Sequence, residues 1–179
     1  MKSEKFEITF RPIGTEDVPN LVRWQRDAET ARWYWDVVDL SDGELKRKWT
    51  EIAKKTESKT DRFIIVVDGH DIGEIQVANL RDYPESAAEV GIPNAASADL
   101  FIGEPAWRDR GIGSRALRQF VDKIVFSRPG IETCTIDPEP ENTRAIRSYE
   151  KAGFTYVRTY HSAEGDVDAY LMRRDRGQD

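Results

Sequence analysis

Sulfur and imidazole are scarce in this chain of 179 residues, which has one cysteine, Cys134, and two histidines, His70 and His161. A lone cysteine excludes an intrachain disulfide and a cysteine-cluster zinc site, and two distant histidines make no histidine-rich centre, so no metal is expected. No apolar run reaches the roughly 20 residues that span a bilayer. The charged start, MKSEKFE, has no apolar signal region, which predicts a cytoplasmic protein with no membrane partner. Excess positive charge is missing too. With 27 basic against 33 acidic residues the net charge is −6, which argues against a nucleic-acid partner and is compatible with a cationic ligand. The dinucleotide fingerprint G-x-G-x-x-G and the P-loop pattern G-x-x-x-x-G-K-[ST] are both absent, which argues against those folds. Without repeats, low-complexity tracts or long linkers, residues 1–173 are expected to form one domain and residues 174–179 a disordered tail.

What the chain does have is a short glycine motif. The run Arg108-Asp109-Arg110-Gly111-Ile112-Gly113 lies between the apolar Leu100-Phe101-Ile102 and a long amphipathic segment, an order that reads as strand, tight loop and helix. Glycine takes positive φ and leaves its backbone open to close approach, so Gly111 and Gly113 let several N–H groups face one anion. The unpaired N–H groups and positive dipole end of the following helix suit a phosphate or pyrophosphate, and Arg108 and Arg110 can add charge. A match this short also occurs as an ordinary helix-start turn.

Around that motif the patterning alternates between strand and helix. Phe6 to Arg11 alternates as a first strand, and Thr15 can cap a helix carrying Leu21, Val22 and Trp24, with Pro19 near its tolerated first turn. The rings of Trp33-Tyr34-Trp35 read either as core with one exposed or as the aromatic wall of a pocket. Ser41 to Glu44 is a capping box ahead of the stripe Leu45, Trp49, Ile52 and Ala53. Phe63 to Val67, the turn Asp68-Gly69, and Ile72 to Val77 predict a hairpin. From Asn79 to Ala98 the pattern turns irregular and acidic, which reads as a long loop facing substrate.

Ala98 to Ile102 resumes as a strand carrying Asp99, a poor strand former that either points to water at an edge or projects into a polar site. Ala116, Leu117, Phe120, Val121, Ile124 and Val125 recur at helical spacing until Pro129-Gly130. Ile131 to Ile136 is a strand in which Cys134 reads as buried filler rather than a nucleophile. Asn142 caps a helix from Thr143 to Ala152 that Gly153 ends, and Tyr149 within it reads as core or as a proton donor. Phe154 to His161 and Val167 to Met172, joined around Glu164-Gly165, make a closing hairpin.

The segment DPEPENTRAIRSYEKAGF, from Asp137 to Phe154, together with WRDRGIG, from Trp107 to Gly113, resembles the GNAT superfamily of N-acetyltransferases, and within it the aminoglycoside 6′-N-acetyltransferases. The strong part spans residues 98–154. The resemblance implies an α+β, three-layer fold, with a mixed, mostly antiparallel central sheet of about seven strands flanked by helices and two central strands splayed apart. It implies acetyl-CoA as co-substrate, held around Arg108, Asp109, Arg110, Gly111, Ile112, Gly113 and Ser114, with Leu100, Phe101 and Ile102 as the edge that pairs with the pantetheine, and Asn142 and Arg147 on the coenzyme arm. Asp99 stands where the acidic catalytic residue of that group stands, and Tyr149 is assigned to the leaving thiolate.

The acceptor subsite implied is Trp33, Trp35, Asp36, Glu85, Asp99, Asp137 and Glu164. The expected reaction is transfer of acetyl to the 6′-amino group of an aminoglycoside by direct attack in a ternary complex, where proximity and carbonyl polarisation supply most of the rate. An ordinary aspartate titrates near 4, which makes Asp99 a weak base and leaves room for a role in holding the ammonium. Members of the group carry a paired tryptophan in the loop before the catalytic strand, where this chain reads YPESAAEVG. The alternative is therefore an acetyltransferase for another amine, such as a polyamine, a small metabolite or a protein N-terminus. A siderophore-precursor acetyltransferase and a non-catalytic acyl-CoA-binding module complete the range. The partner expected is a small cationic amine, with the chain a monomer or homodimer.

Overall fold

The structure, a computed structural model, describes residues 6–163 and 165–178, with every side chain in those ranges except Trp35 and Asp36. The alternating segments form one seven-stranded sheet. In chain order its strands are β1 (Ile8–Pro12), β2 (Thr60–Val67), β3 (His70–Asn79), β4 (Ala95–Ile102), β5 (Thr133–Ile136), β6 (Thr155–Ser162) and β7 (Val167–Asp175). They lie side by side as β1-β2-β3-β4-β5-β7-β6. Every neighbouring pair is antiparallel except β4 and β5.

Helices cover both faces. One face carries α6 (Ile112–Phe120), which runs on into a π-helical stretch at Val121–Val125, and α7 (Thr143–Lys151). Their Ile112, Leu117, Phe120 and Tyr149 pack with Ile75, Val77, Ala98 and Leu100 of the sheet. The other face carries α1 (Val18–Arg26) and α4 (Asp42–Lys54), whose Leu21, Trp24, Leu45 and Trp49 pack with Ile64 and Phe101. Burying each such aliphatic or phenyl side chain contributes about 1.5–3 kcal/mol. Ser41 and Glu44 form the expected reciprocal cap of α4. Among the described residues no helix is long and apolar enough to cross a membrane.

The parting of β4 from β5 creates the space that matters. The two pair only through Ala95↔Thr133, Ala96↔Cys134 and Ser97↔Thr135. Beyond that point β4 continues to Ile102 with β3 on its other side alone, so its outer edge has no strand partner. This is the splay the family resemblance implies.

Two expectations are corrected. The stretch 79–98 is not one long loop: it contains a 3-10 turn (Leu80–Asp82) and α5 (Pro84–Val90), and β4 already begins at Ala95. Pro84 starts α5 and Gly91, at φ 66°, ends it, signals hidden by the small residues between them. Nor is the segment from residue 174 a disordered tail over the described residues. β5 needs a partner on its outer edge, and β7 supplies it through Cys134↔Arg174 and Thr133↔Asp175. Arg174 is 3% exposed and pairs with Asp122 at 2.7 Å, its stem buried while its head finds a carboxylate.

Two short helices complete the chain, α2 (Ala28–Ala31) and α3 (Trp35–Val38), which bring Trp33 and Tyr34 over the sheet near the parted strands.

Candidate active site

A cleft of about 790 Å³ opens where β4 and β5 part. Asp99 lies on its floor, half-buried, opposite Gln76 of β3. Of the two readings left open for this residue, the structure gives the polar site. Both carboxylate oxygens are engaged: the Leu100 N–H donates to Oδ1 at 2.8 Å and the Tyr34 hydroxyl to Oδ2 at 3.1 Å. Burial pushes the Asp99 carboxyl up to about 6, opposed by those two hydrogen bonds and by Arg62, and reinforced by the negative charge of Asp137. At about 6 it is a better base near neutral pH than an ordinary aspartate.

Tyr149 enters from α7 on the opposite wall, 7% exposed. Burial, then the nearby Asp99 and Asp137 carboxylates, raise its pKa well above the ordinary tyrosine range. It therefore keeps its proton at working pH and is available to an anion that forms beside it. Asp137, just after β5, accepts a hydrogen bond from the Tyr160 hydroxyl at 2.6 Å and lines the same cleft.

The glycine loop forms the far end. Gly111 stands at φ 70° as the residue before α6, and Asp109 at φ 58°. This left-handed pair turns the chain back so that residues 111–114 line the cleft. The first-turn N–H groups of α6 have no carbonyl partner within the helix, and together with the helix dipole they favour an anion. A Cβ on Gly113 would sit 3.5 Å from Ser148 Oγ and 3.9 Å from Ile102 Cγ1, ordinary contacts that leave the loop's surface low. Ser114 is turned inward, its hydroxyl donating to the Gly111 carbonyl at 3.0 Å.

The two arginines of the motif take different places, Arg108 lining the cleft and Arg110 not. The Arg108 side chain, 9% exposed, donates from Nε to the Ile102 carbonyl at 2.9 Å and pairs through Nη2 with Asp27 at 2.7 Å. It is committed to holding the end of β4 against α2, because a buried guanidinium must find acceptors for its fixed fork of donors. Arg110 lies over the rings of Phe6 and Trp107, 4.9 and 5.0 Å from their centroids, away from the cleft lining. Arg144 and Arg147 of α7 line the cleft together with Arg108. Asn142 also lines the cleft, with its side-chain oxygen capping α7 through the Ala145 N–H at 3.2 Å.

Of the proposed acceptor residues, Trp33, Asp99 and Asp137 meet in the cleft. Glu85 does not: it is exposed in the first turn of α5, where a helix replaces the expected loop. Glu164 and the side chains of Trp35 and Asp36 lie outside the described residues. Tyr34 of the aromatic run lines the cleft, as do Trp49, Arg62, Glu74 and Gln76, which the sequence did not mark as site residues. Arg62 Nη1 donates to Glu74 Oε1 at 3.1 Å, and its guanidinium lies over the Trp49 ring. Glu74 is 2% exposed, and burial lifts its carboxyl to about 7 against the pull of Arg62. The signal available for this row was Glu74 and Gln76 at alternate positions of a strand covered on both faces.

The sequence matches the family model of the acetyltransferase (GNAT) domain over residues 7–155. It is 25% identical over 168 residues to an aminoglycoside N(6′)-acetyltransferase type 1 of Klebsiella pneumoniae, covering 93% of this chain and 82% of that protein. A stretch of 77 residues, 41% of this chain and 45% of the other, is 39% identical to the N-alpha-acetyltransferase RimI of Mycobacterium tuberculosis. Among solved structures, the aminoglycoside acetyltransferase AAC(6′)-Ib in complex with coenzyme A and kanamycin superposes with a TM-score of 0.80 at 22% identity, over 95% of both chains, a likeness of fold.

Proposed function

Because the chain belongs to the GNAT acetyltransferase family, we propose that it transfers the acetyl group of acetyl-CoA to a primary amine, the 6′-amino group of an aminoglycoside. The observation that carries this reading is one cleft with a glycine turn and helix start at one end and a half-buried carboxylate at the other. The loop's N–H groups suit a diphosphate, and the edge of β4 at Ala98–Ile102, which no strand covers, suits an extended arm bearing amide groups. Such an arm would bring a thioester to the level of Asp99 and Tyr149. The aminoglycoside assignment draws on the Klebsiella pneumoniae relative and on the kanamycin complex of the fold neighbour.

In this reading Asp99 takes a proton from the acceptor ammonium, directly or through a water, and the freed amine attacks the thioester carbonyl. The new N–C bond forms as the C–S bond breaks, and the departing thiolate takes a proton from Tyr149. The attacking nitrogen, which still carries two protons after addition, gives one up through water to the Tyr149 phenolate, and Asp99 releases its own proton to solvent. Most of the acceleration comes from holding both substrates together.

A second reading, acetylation of another amine such as a peptide N-terminus, is favoured by one feature. Lys48 and Arg62 line the acceptor wall, positive charge that a polycation does not seek, and the stretch shared with RimI points the same way. Thiol release from acetyl-CoA should be measured with kanamycin, tobramycin, spermidine and short peptides. Turnover with kanamycin or tobramycin is expected; turnover on peptides alone would replace the first reading by the second, and none with any amine would end both.

A further inference from the structure

We propose that Tyr34 is the positioning residue of Asp99, its hydroxyl fixing the carboxylate in the orientation that meets the acceptor nitrogen and holding it in its charged form. The inference rests on the acetyl-transfer reading only for what Asp99 meets; the effect of Tyr34 on Asp99 stands without it.

Tyr34 precedes α3, and its ring packs edge-on against Phe101, with centroids 5.4 Å apart and planes at 77°. Phe101 is two residues beyond Asp99 on β4, hence on the same face. The ring therefore leans on the strand that carries the base, and the hydroxyl arrives 3.1 Å from Asp99 Oδ2. The Leu100 N–H holds Oδ1, so the carboxylate is clasped from two directions and each oxygen keeps capacity for a donor from the cleft. Among the described residues Tyr34 is the side-chain hydrogen-bond donor to Asp99.

The direction of that bond is settled by electrostatics. Burial, then the charges of Asp99 and Glu74, hold the Tyr34 hydroxyl protonated, so it donates. A hydrogen bond donated to a carboxylate favours the ionised form. The other groups facing Asp99 are Arg62 from β2, Glu74 from β3, Asp137 after β5 and Tyr149 from α7. Arg62 acts in the same sense as Tyr34, while Asp137 acts against it.

The backbone leading to Tyr34 is tied down. Asp27 pairs with Arg108 Nη2, and Thr30 Oγ1 accepts from the same nitrogen at 3.2 Å. Glu29 pairs with Arg144, which also reaches Asp109 at 3.2 Å. The segment that orients the base is thus braced against the loop proposed to bind the coenzyme.

The test is Tyr34→Phe, which keeps the ring and removes the hydroxyl. With the acceptor that turns over, the acid limb of kcat/KM should move up by about one pH unit, a loss of roughly fivefold near pH 6 that fades toward pH 8.5. Independently of any substrate, carbon-13 titration of the Asp99 carboxyl, assigned by its disappearance in Asp99→Asn, should move upward in Tyr34→Phe. Replacement of Tyr34 by 3-fluorotyrosine, a stronger donor, should move it downward. An Asp99 titration unchanged in both variants overturns the inference, as does a uniform loss of activity with an unmoved limb. If no amine is acetylated the functional reading fails, and the carboxyl titration still decides the role of Tyr34.

Discussion

A carboxyl group near neutral pH is an effective base only if its surroundings penalise the charge, and Asp99 is in that position. Burial holds its titration at about 6, while Tyr34 and the Leu100 N–H keep it from rising further. Asp99→Asn preserves shape and removes proton acceptance, so turnover should fall by roughly 10²-fold and the acid limb near pH 6 should vanish. A pH–rate profile that keeps its limb at an unchanged rate would take Asp99 out of the reaction. By the same logic Cys134 is inert. Burial pushes its thiol to about 12, so at pH 7 almost none is thiolate.

At the scale of elements, the glycine loop separates two jobs that one motif had merged. Gly111 is required by conformation, because at φ 70° a side chain is strained. Gly113 is helical, and a Cβ there meets only ordinary contacts, so any penalty must come from the ligand. Gly111→Ala should cost about 1 kcal/mol of stability. Gly113→Ala should hold its Tm and raise KM for acetyl-CoA by roughly tenfold, through obstruction of close backbone approach. Equal KM in Gly113→Ala and the parent would count against the loop assignment. What was legible in the sequence follows the same division. The motif, the Ser41 cap, the hairpin at Asp68-Gly69 and the inward stripes of α4 and α6 are local, fixed within a few residues, and the structure contains them. The destinations of Arg108 and Arg110 depend on Asp27 and Phe6, distant in the chain. Tyr34 and Glu74 join the site only because β3 and β4 pair in one register and α3 arrives above them. No spacing along the chain encodes that meeting.

For the whole molecule, titration ties the site to stability. Asp17, paired with Arg11 at 2.7 Å, and Glu104, bonded to Arg23 and Trp24, hold their protons less tightly than free carboxyls. Their contribution is present above the ordinary carboxylate range and is lost as the pH falls through it. Glu74 and Asp99 act in the opposite sense. Folded, they keep a proton up to about 7 and about 6, whereas the unfolded chain releases it near 4. The folded state binds more protons in that window, so stability falls as the pH rises from about 4.5 to 7. The net charge, near zero at the pI of about 5.1 and −6 at pH 7, adds self-repulsion of the same sign. Tm should therefore peak near about pH 5. Glu74→Gln keeps an acceptor for Arg62 and removes the buried charge, a cost on the order of 3 kcal/mol when ionised. Scanning calorimetry across that range should show the variant several degrees more stable at about pH 8 and nearly equal at about pH 4.5. Parallel curves for variant and parent across the range would mean that Glu74 carries no displaced titration in the folded protein.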